Sequence, residues 1–195
     1  MSLVTKSAPV FQAEAVANMA FTNINLEEYR GKWVVLFFYP LDFTFVCPTE
    51  ITAFSDRAAE FTERGVQILG VSTDSKFSHL AWENQPRAEG GLGKIEYPLI
   101  ADFTKQISTD YGVLLPGGMA LRATFIIDPE GVVQYELVHA LGIGRNVDEI
   151  LRSIDALQFT RQHGEVCPAG WSKGAATIVP DVAKSKDYFQ KHGNK

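Results

Sequence analysis

A chain of 195 residues is long enough for one substantial core and short for two. Its 46% hydrophobic and 21% charged residues match a globular protein and exclude a wholly disordered, collagenous or heptad-repeat chain. A net charge of −5 without any basic block lacks the electrostatic footprint of a nucleic-acid or anionic-membrane binder.

Met1 to Val10 has no apolar segment of the signal-peptide kind, and the longest apolar run, Trp33 to Tyr39, is too short to span a bilayer. A soluble cytoplasmic protein is expected, with an organellar stroma after transit-peptide removal as the alternative. The run WVVLFFY, rich in β-branched and aromatic residues, reads as a central strand buried on both faces and ended by Pro40. From Cys47 to Arg64, Ile51, Phe54, Ala58 and Phe61 recur three or four apart, which predicts a helix with one buried face, stopped by Gly65. Val66 to Ser72 is the next strand, so the segment is a βαβ unit with parallel strands.

A helix near Ser75 to Asn84, a strand around Tyr97 to Ala101 and a helix from Thr104 to Tyr111, closed by Gly112, continue the alternation. Ala123 to Ile127 and Val132 to Val138 flank Asp128-Pro129-Glu130-Gly131, a turn that makes these strands an antiparallel hairpin. Asn146 caps a helix carrying Val147, Ile150, Leu151, Ile154 and Leu157, with Glu149 as the capping-box partner. Beyond Phe159 the chain is polar, interrupted by Pro168 and Pro180, with one short helical candidate near Val182 to Gln190. The order predicts an α/β, thioredoxin-like fold: a central mixed sheet flanked by helices in residues 1–159, and a C-terminal arm in 160–195.

Cys47 and Cys167, 167 − 47 = 120 positions apart, are too few for a disulfide scaffold or a four-thiolate zinc site. They are either buried free thiols or chemically active. Cys47 falls where the first strand hands over to its helix, a place where reactive groups gather in open α/β sheets. A free thiol is only about 3% thiolate at pH 7, and the thiolate is the nucleophile. Lowering its pKa by about 2.5 requires about 3.4 kcal/mol in favour of the anion. A helix terminus commonly supplies about 0.3–1 kcal/mol, so a catalytic Cys47 demands a cation from elsewhere.

Arg122 and Arg145, each at the start of an element, are candidates; the alternative for either is a solvated surface residue. Pro48 suits the first helical position, and Glu50 can serve the open amides of the first turn, its charge opposing a thiolate unless a cation neutralises it. The loop from Pro40 to Val46 is largely apolar, with one hydroxyl, Thr44, three residues ahead of the sulfur. Thr44 could face a reactant or simply bond its own loop backbone. His79, His139, His163 and His192 are scattered without a complete metal-ligand set, so no metal is expected, and Trp82 and Trp171 read as packing residues.

Pro40-x-x-x-Thr44-x-x-Cys47, within FYPLDFTFVCPTE, resembles the active-site signature of the peroxiredoxins, and Val166-Cys167-Pro168-Ala169-Gly170-Trp171 resembles the resolving-cysteine segment of their typical two-cysteine group. The resemblance runs from about Ala8 to Phe189 and favours the versions found in cyanobacteria and plastids. It implies a thiol peroxidase that reduces hydrogen peroxide and organic hydroperoxides, for antioxidant defence and redox signalling, without metal or organic cofactor. Cys47 would be the peroxidatic thiol, Thr44 and Arg122 would bind the peroxide oxygens, Pro40 would shield the sulfur, and Glu50 and Arg145 would be the supporting pair.

The resemblance further implies an intersubunit disulfide with Cys167, thioredoxin or a similar dithiol as reductant, and a homodimer that assembles into a decamer of five dimers. Gly90-Gly91-Leu92-Gly93 and Tyr188-Phe189 resemble features of overoxidation-prone members; read alone, the glycines are a flexible surface loop. Two further readings share these residues: a redox-regulated holdase, active when overoxidised, and a plain thioredoxin-like binding module.

Overall fold

The computed structural model describes residues 2–193, in two compact units that divide between Arg145 and Asn146. The first unit is built on a seven-stranded mixed sheet in the order β2-β1-β5-β4-β3-β6-β7. Its strands are β1 (Gln12–Ala17), β2 (Ala20–Asn25), β3 (Trp33–Phe38), β4 (Val66–Ser72), β5 (Leu99–Ala101), β6 (Arg122–Ile127) and β7 (Val133–His139). Its helices are α1 (Cys47–Asp56), α2 (Ala58–Glu63), α3 (Lys76–Asn84) and α4 (Gln106–Asp110).

β3 is buried along its whole length, and its period-two alternation supplies two cores. Phe37 stacks on Phe54 of α1 with ring centroids 4.8 Å apart. The next residue, Phe38, turns to the other face and packs edge-on to Phe125 at 5.8 Å and against Tyr111 at 5.2 Å. β3 pairs parallel with β4, as the βαβ reading requires, and antiparallel with β6, while β6 and β7 form the expected hairpin.

The N-terminal hairpin of β1 and β2 has no counterpart in the sequence reading. Its two-residue turn, Asn18-Met19, takes positive φ at both positions (51° and 61°), the demand of a type I′ turn usually met by Asn-Gly. Met19 hides that signal. The helix expected over 47–64 is interrupted at Arg57 (φ −112°, ψ 14°) into α1 and α2. Phe54 before the break and Phe61 after it are both buried, their ring centroids 5.7 Å apart, so the apolar repeat runs through it unaltered.

The second unit holds α5 (Val147–His163) and α6 (Ser185–His192). Asn146 caps α5 by accepting from the Asp148 N–H at 2.8 Å, whereas Glu149 pairs with Arg152 at 2.9 Å. The boundary expected at 159/160 falls inside α5, which runs on to a left-handed Gly164 (φ 69°). After it, Val166 and Ile178 form an antiparallel bridge, and buried Trp171 donates its indole N–H to the Ala175 carbonyl at 3.1 Å.

Candidate active site

β3 ends at Phe38, and after buried Tyr39 and Pro40 residues 41–46 turn the chain into α1. A buried polar cluster pins this loop. Asp42 accepts from the Tyr39 hydroxyl at 2.9 Å, faces His79 Nδ1 of α3 at 2.8 Å, and donates its backbone N–H to Asp74 Oδ2 at 2.9 Å. His79 Nε2 lies 3.2 Å from the Ile100 carbonyl. Burial works against the His79 imidazolium, but the hydrogen bond and charge of Asp42, with the Ile100 carbonyl, outweigh it and raise the pKa above the ordinary value. Phe43 adopts a left-handed backbone (φ 54°), a costly conformation for a bulky residue, with its ring 5.6 Å from that of Trp82.

Cys47 is the first residue of α1 and has no solvent exposure; Pro48 takes the second helical position. Arg122 Nη1 donates to Cys47 Sγ at 3.1 Å and to Glu50 Oε2 at 2.8 Å, while its Nε donates to the Leu141 carbonyl at 2.7 Å. Glu50 Oε1 accepts the backbone N–H of Arg145 at 2.9 Å, and its Oε2 lies 3.1 Å from Arg145 Nη1. Arg145 Nη2 donates to the Phe38 carbonyl and, at 3.2 Å, to that of Ala123. Its guanidinium sits over the Phe37 ring, 5.2 Å from the centroid. Burial, with Arg122 nearby, pushes the Arg145 pKa down to about 10, so it remains charged at neutral pH.

Two guanidiniums against one carboxylate leave one positive charge. A unit charge 3.1 Å from the sulfur favours an anion there by about 5 kcal/mol at an effective dielectric of about 20, before desolvation. The cation that the sequence argument demands is therefore supplied from β6, and two guanidiniums meet the Glu50 charge. Cys47, Glu50, Arg122 and Arg145 thus converge, and the surface alternative for the arginines does not hold: their side chains are 5% and 1% exposed. The Glu50 carboxylate meets arginine groups instead of the first-turn amides. Thr44 is half-buried and donates its hydroxyl to the Leu41 carbonyl at 2.8 Å, the local backbone alternative. The acceptors on Leu141, Phe38 and Ala123 left no trace in the sequence, because every residue carries a carbonyl.

Gly90-Gly91-Leu92-Gly93 is not a loose surface loop. Trp82 Nε1 donates to the Gly90 carbonyl at 2.9 Å, Leu92 is buried, and Arg87 Nε donates to the Leu92 carbonyl at 2.9 Å. A Cβ on Gly91 would stand 2.1 Å from the Gln85 carbonyl oxygen, so only glycine fits. Next to Trp82 in α3, the buried Glu83 carboxyl has no hydrogen-bond partner among the described residues, and burial pushes its pKa up to about 7.

In the second unit Cys167 is a half-buried free thiol, its sulfur 3.7 Å from Thr160 Oγ1 and 3.8 Å from the Ala156 carbonyl. Tyr188 and Phe189 lie on α6 with rings edge-on at 5.6 Å.

Residues 4–136 match the AhpC/TSA family, and residues 156–191 match the C-terminal domain of 1-Cys peroxiredoxin. The chain belongs to the peroxiredoxin family. It is 58% identical over 190 residues to peroxiredoxin-2 of Bos taurus, covering 97% of this chain and 96% of that one. It is 56% identical over 193 residues to the mitochondrial thioredoxin-dependent peroxide reductase of Drosophila melanogaster, covering 97% and 82%. The reduced 2-Cys peroxiredoxin of Plasmodium vivax superposes with a TM-score of 0.95 at 49% identity, covering 97% of this chain and all of that one.

These relatives correct the expected cytoplasmic localisation. Peroxiredoxins named as mitochondrial, from Drosophila melanogaster and Homo sapiens, are each 56% identical to this chain, so the sequence features behind that expectation do not separate cytoplasm from organelle.

Proposed function

We propose that Cys47 is the peroxidatic thiol and Cys167 the resolving thiol of a thioredoxin-dependent peroxidase. The chain is an oxidoreductase of the two-cysteine peroxiredoxin type, with a hydroperoxide as substrate and thioredoxin as reductant. The observation that carries the residue assignment is the hydrogen bond from Arg122 to the buried Cys47 sulfur, within a cluster whose charges balance only when that sulfur is an anion.

The Cys47 thiolate attacks one peroxide oxygen in line with the O–O bond; an S–O bond forms as O–O breaks, and the leaving oxygen takes up a proton as water or alcohol. Arg122, whose Nη1 donates to the sulfur, stabilises the charge that moves onto the leaving oxygen, and Thr44, its hydroxyl proton given to the Leu41 carbonyl, orients the peroxide by accepting from its O–H. Pro40, two residues beyond β3, shields the sulfur. The sulfenic acid on Cys47 then condenses with the Cys167 thiol, forming S–S and releasing water, and a thioredoxin dithiol reduces that disulfide by exchange. The segment 160–195 acts as the arm that presents Cys167 to a second subunit, in a homodimer and a decamer of five dimers. A Plasmodium yoelii relative modified at its N-terminus is described as forming an artifactual octamer.

The closed Gly90–Gly93 turn and the Tyr188-Phe189 pair support a slow handover to Cys167, so that excess peroxide carries Cys47 on to sulfinic acid. Holdase activity of that overoxidised form, and roles in signalling, are part of the same proposal.

Non-reducing electrophoresis after a stoichiometric peroxide pulse tests the assignment. A disulfide-linked dimer, lost in both Cys47→Ser and Cys167→Ser, is expected. A shifted monomer needing both thiols would place the bridge within one chain, and a dimer surviving Cys47→Ser would overturn the assignment.

A further inference from the structure

The Arg122 guanidinium is held from two sides, by Glu50 on α1 and by the carbonyl of Leu141. The second support lies in the segment 140–145, Ala-Leu-Gly-Ile-Gly-Arg, which also brings the Arg145 N–H to Glu50 Oε1. Two glycines in six residues make this backbone intrinsically mobile, and ordering it is entropically costly. Its apolar side chains do not anchor it, since Leu141 is 38% and Ile143 61% exposed. Gly144 approaches the first turn of α1 closely: a Cβ there would lie 3.3 Å from Val46 Cγ1 and 3.8 Å from Glu50 Cγ. A small shift of the segment would therefore move both arginine supports together.

Its turn is closed by the Ile143 N–H, which donates to the Ala140 carbonyl at 3.2 Å, and by His139 Nδ1, 3.2 Å from the Ile143 carbonyl. His139 is the last residue of β7 and the direct antiparallel partner of Arg122, so the two side chains leave the sheet on the same face. The geometry points to His139 as a positioning residue for the peroxidase reaction: its Nδ1–H donates to the Ile143 carbonyl and locks the segment that holds Arg122 against Cys47. It touches neither sulfur nor substrate and acts through Leu141 and Arg122. The contact requires a proton on Nδ1, which both the Nδ1–H tautomer and the imidazolium supply. This inference rests on the peroxidatic role of Cys47 and adds a residue that the active-site signature does not contain.

The test compares His139→Leu, which removes the donor at similar volume, with His139→Gln, whose side-chain amide can donate to the same carbonyl. Two readouts are taken on each full-length variant: the second-order rate of Cys47 oxidation by hydrogen peroxide, and the pH profile of Cys47 alkylation by iodoacetamide in a Cys167→Ser background. On the scale of one lost hydrogen bond, His139→Leu is expected to slow peroxide reaction by about 3- to 10-fold and move the alkylation profile to higher pH. His139→Gln is expected to recover most of both, with circular dichroism unchanged throughout. A Leu variant with the parent rate and profile overturns the inference, as does a Gln variant no better than Leu. If the unsubstituted protein is itself inert to peroxide while His139→Leu still moves the alkylation profile, the peroxidase reading fails and the positioning of Arg122 stands as structure alone.

Discussion

Arg122 Nη1 stands 3.1 Å from Cys47 Sγ although the two residues are 75 positions apart. The contact exists because β6, whose first residue is Arg122, lies beside β3, whose end launches the loop into α1. Sheet order thus sets the distance between nucleophile and cation, and Glu50 and the Leu141 carbonyl fix the orientation.

Arg122→Lys keeps the charge but not the fork. One ammonium cannot replace the Nε donation to Leu141 together with the Nη1 donations to sulfur and Glu50. A lost hydrogen bond to a charged group is worth about 1.5–3 kcal/mol. Stopped-flow consumption of hydrogen peroxide is therefore expected to slow by about 10- to 100-fold, and a rate within twofold of the parent would contradict the role of the guanidinium.

Glu83 makes stability depend on pH. Burial raises its pKa from 4.5 to about 7, with His79 lowering it and Asp42 raising it as smaller influences. Between those values the folded protein holds a proton that the unfolded chain has released. The carboxyl therefore costs nothing below about pH 4.5, costs progressively more as the pH rises, and costs most above about 7. The difference 7 − 4.5 = 2.5 caps the effect at about 3.4 kcal/mol. Glu83→Gln, neutral throughout, is expected to gain in Tm over the parent as pH goes from 5 to 8; a pH-independent difference would count against a raised Glu83.

Gly91→Ala should unfold more readily. The added methyl meets the Gln85 backbone carbonyl, whose oxygen and carbon stand 2.1 and 2.4 Å from the Cβ position. The turn must open, straining the bond from Trp82 to the Gly90 carbonyl and the burial of Leu92. Overpacking of this kind costs about 1–3 kcal/mol, a drop in Tm of several degrees for a protein of this size. An unchanged thermal transition would show that the turn accommodates the methyl.

The pattern of residues was enough for the βαβ unit, the hairpin of β6 and β7 and the cap on α5, since each rests on spacing within a few positions. It also carried the cysteine at a strand-to-helix handover and the need for a cation near it. The hairpin of β1 and β2 was illegible because its turn lacks glycine, and the break at Arg57 because Phe54 and Phe61 continue the repeat across it. Which arginine meets the sulfur and which oxygen of Glu50 each arginine takes were settled only when β3, β6 and the segment 140–145 came together. Local spacing reports which side chains share a face, whereas a hydrogen bond between distant residues depends on strand order and on carbonyls that no residue type reveals.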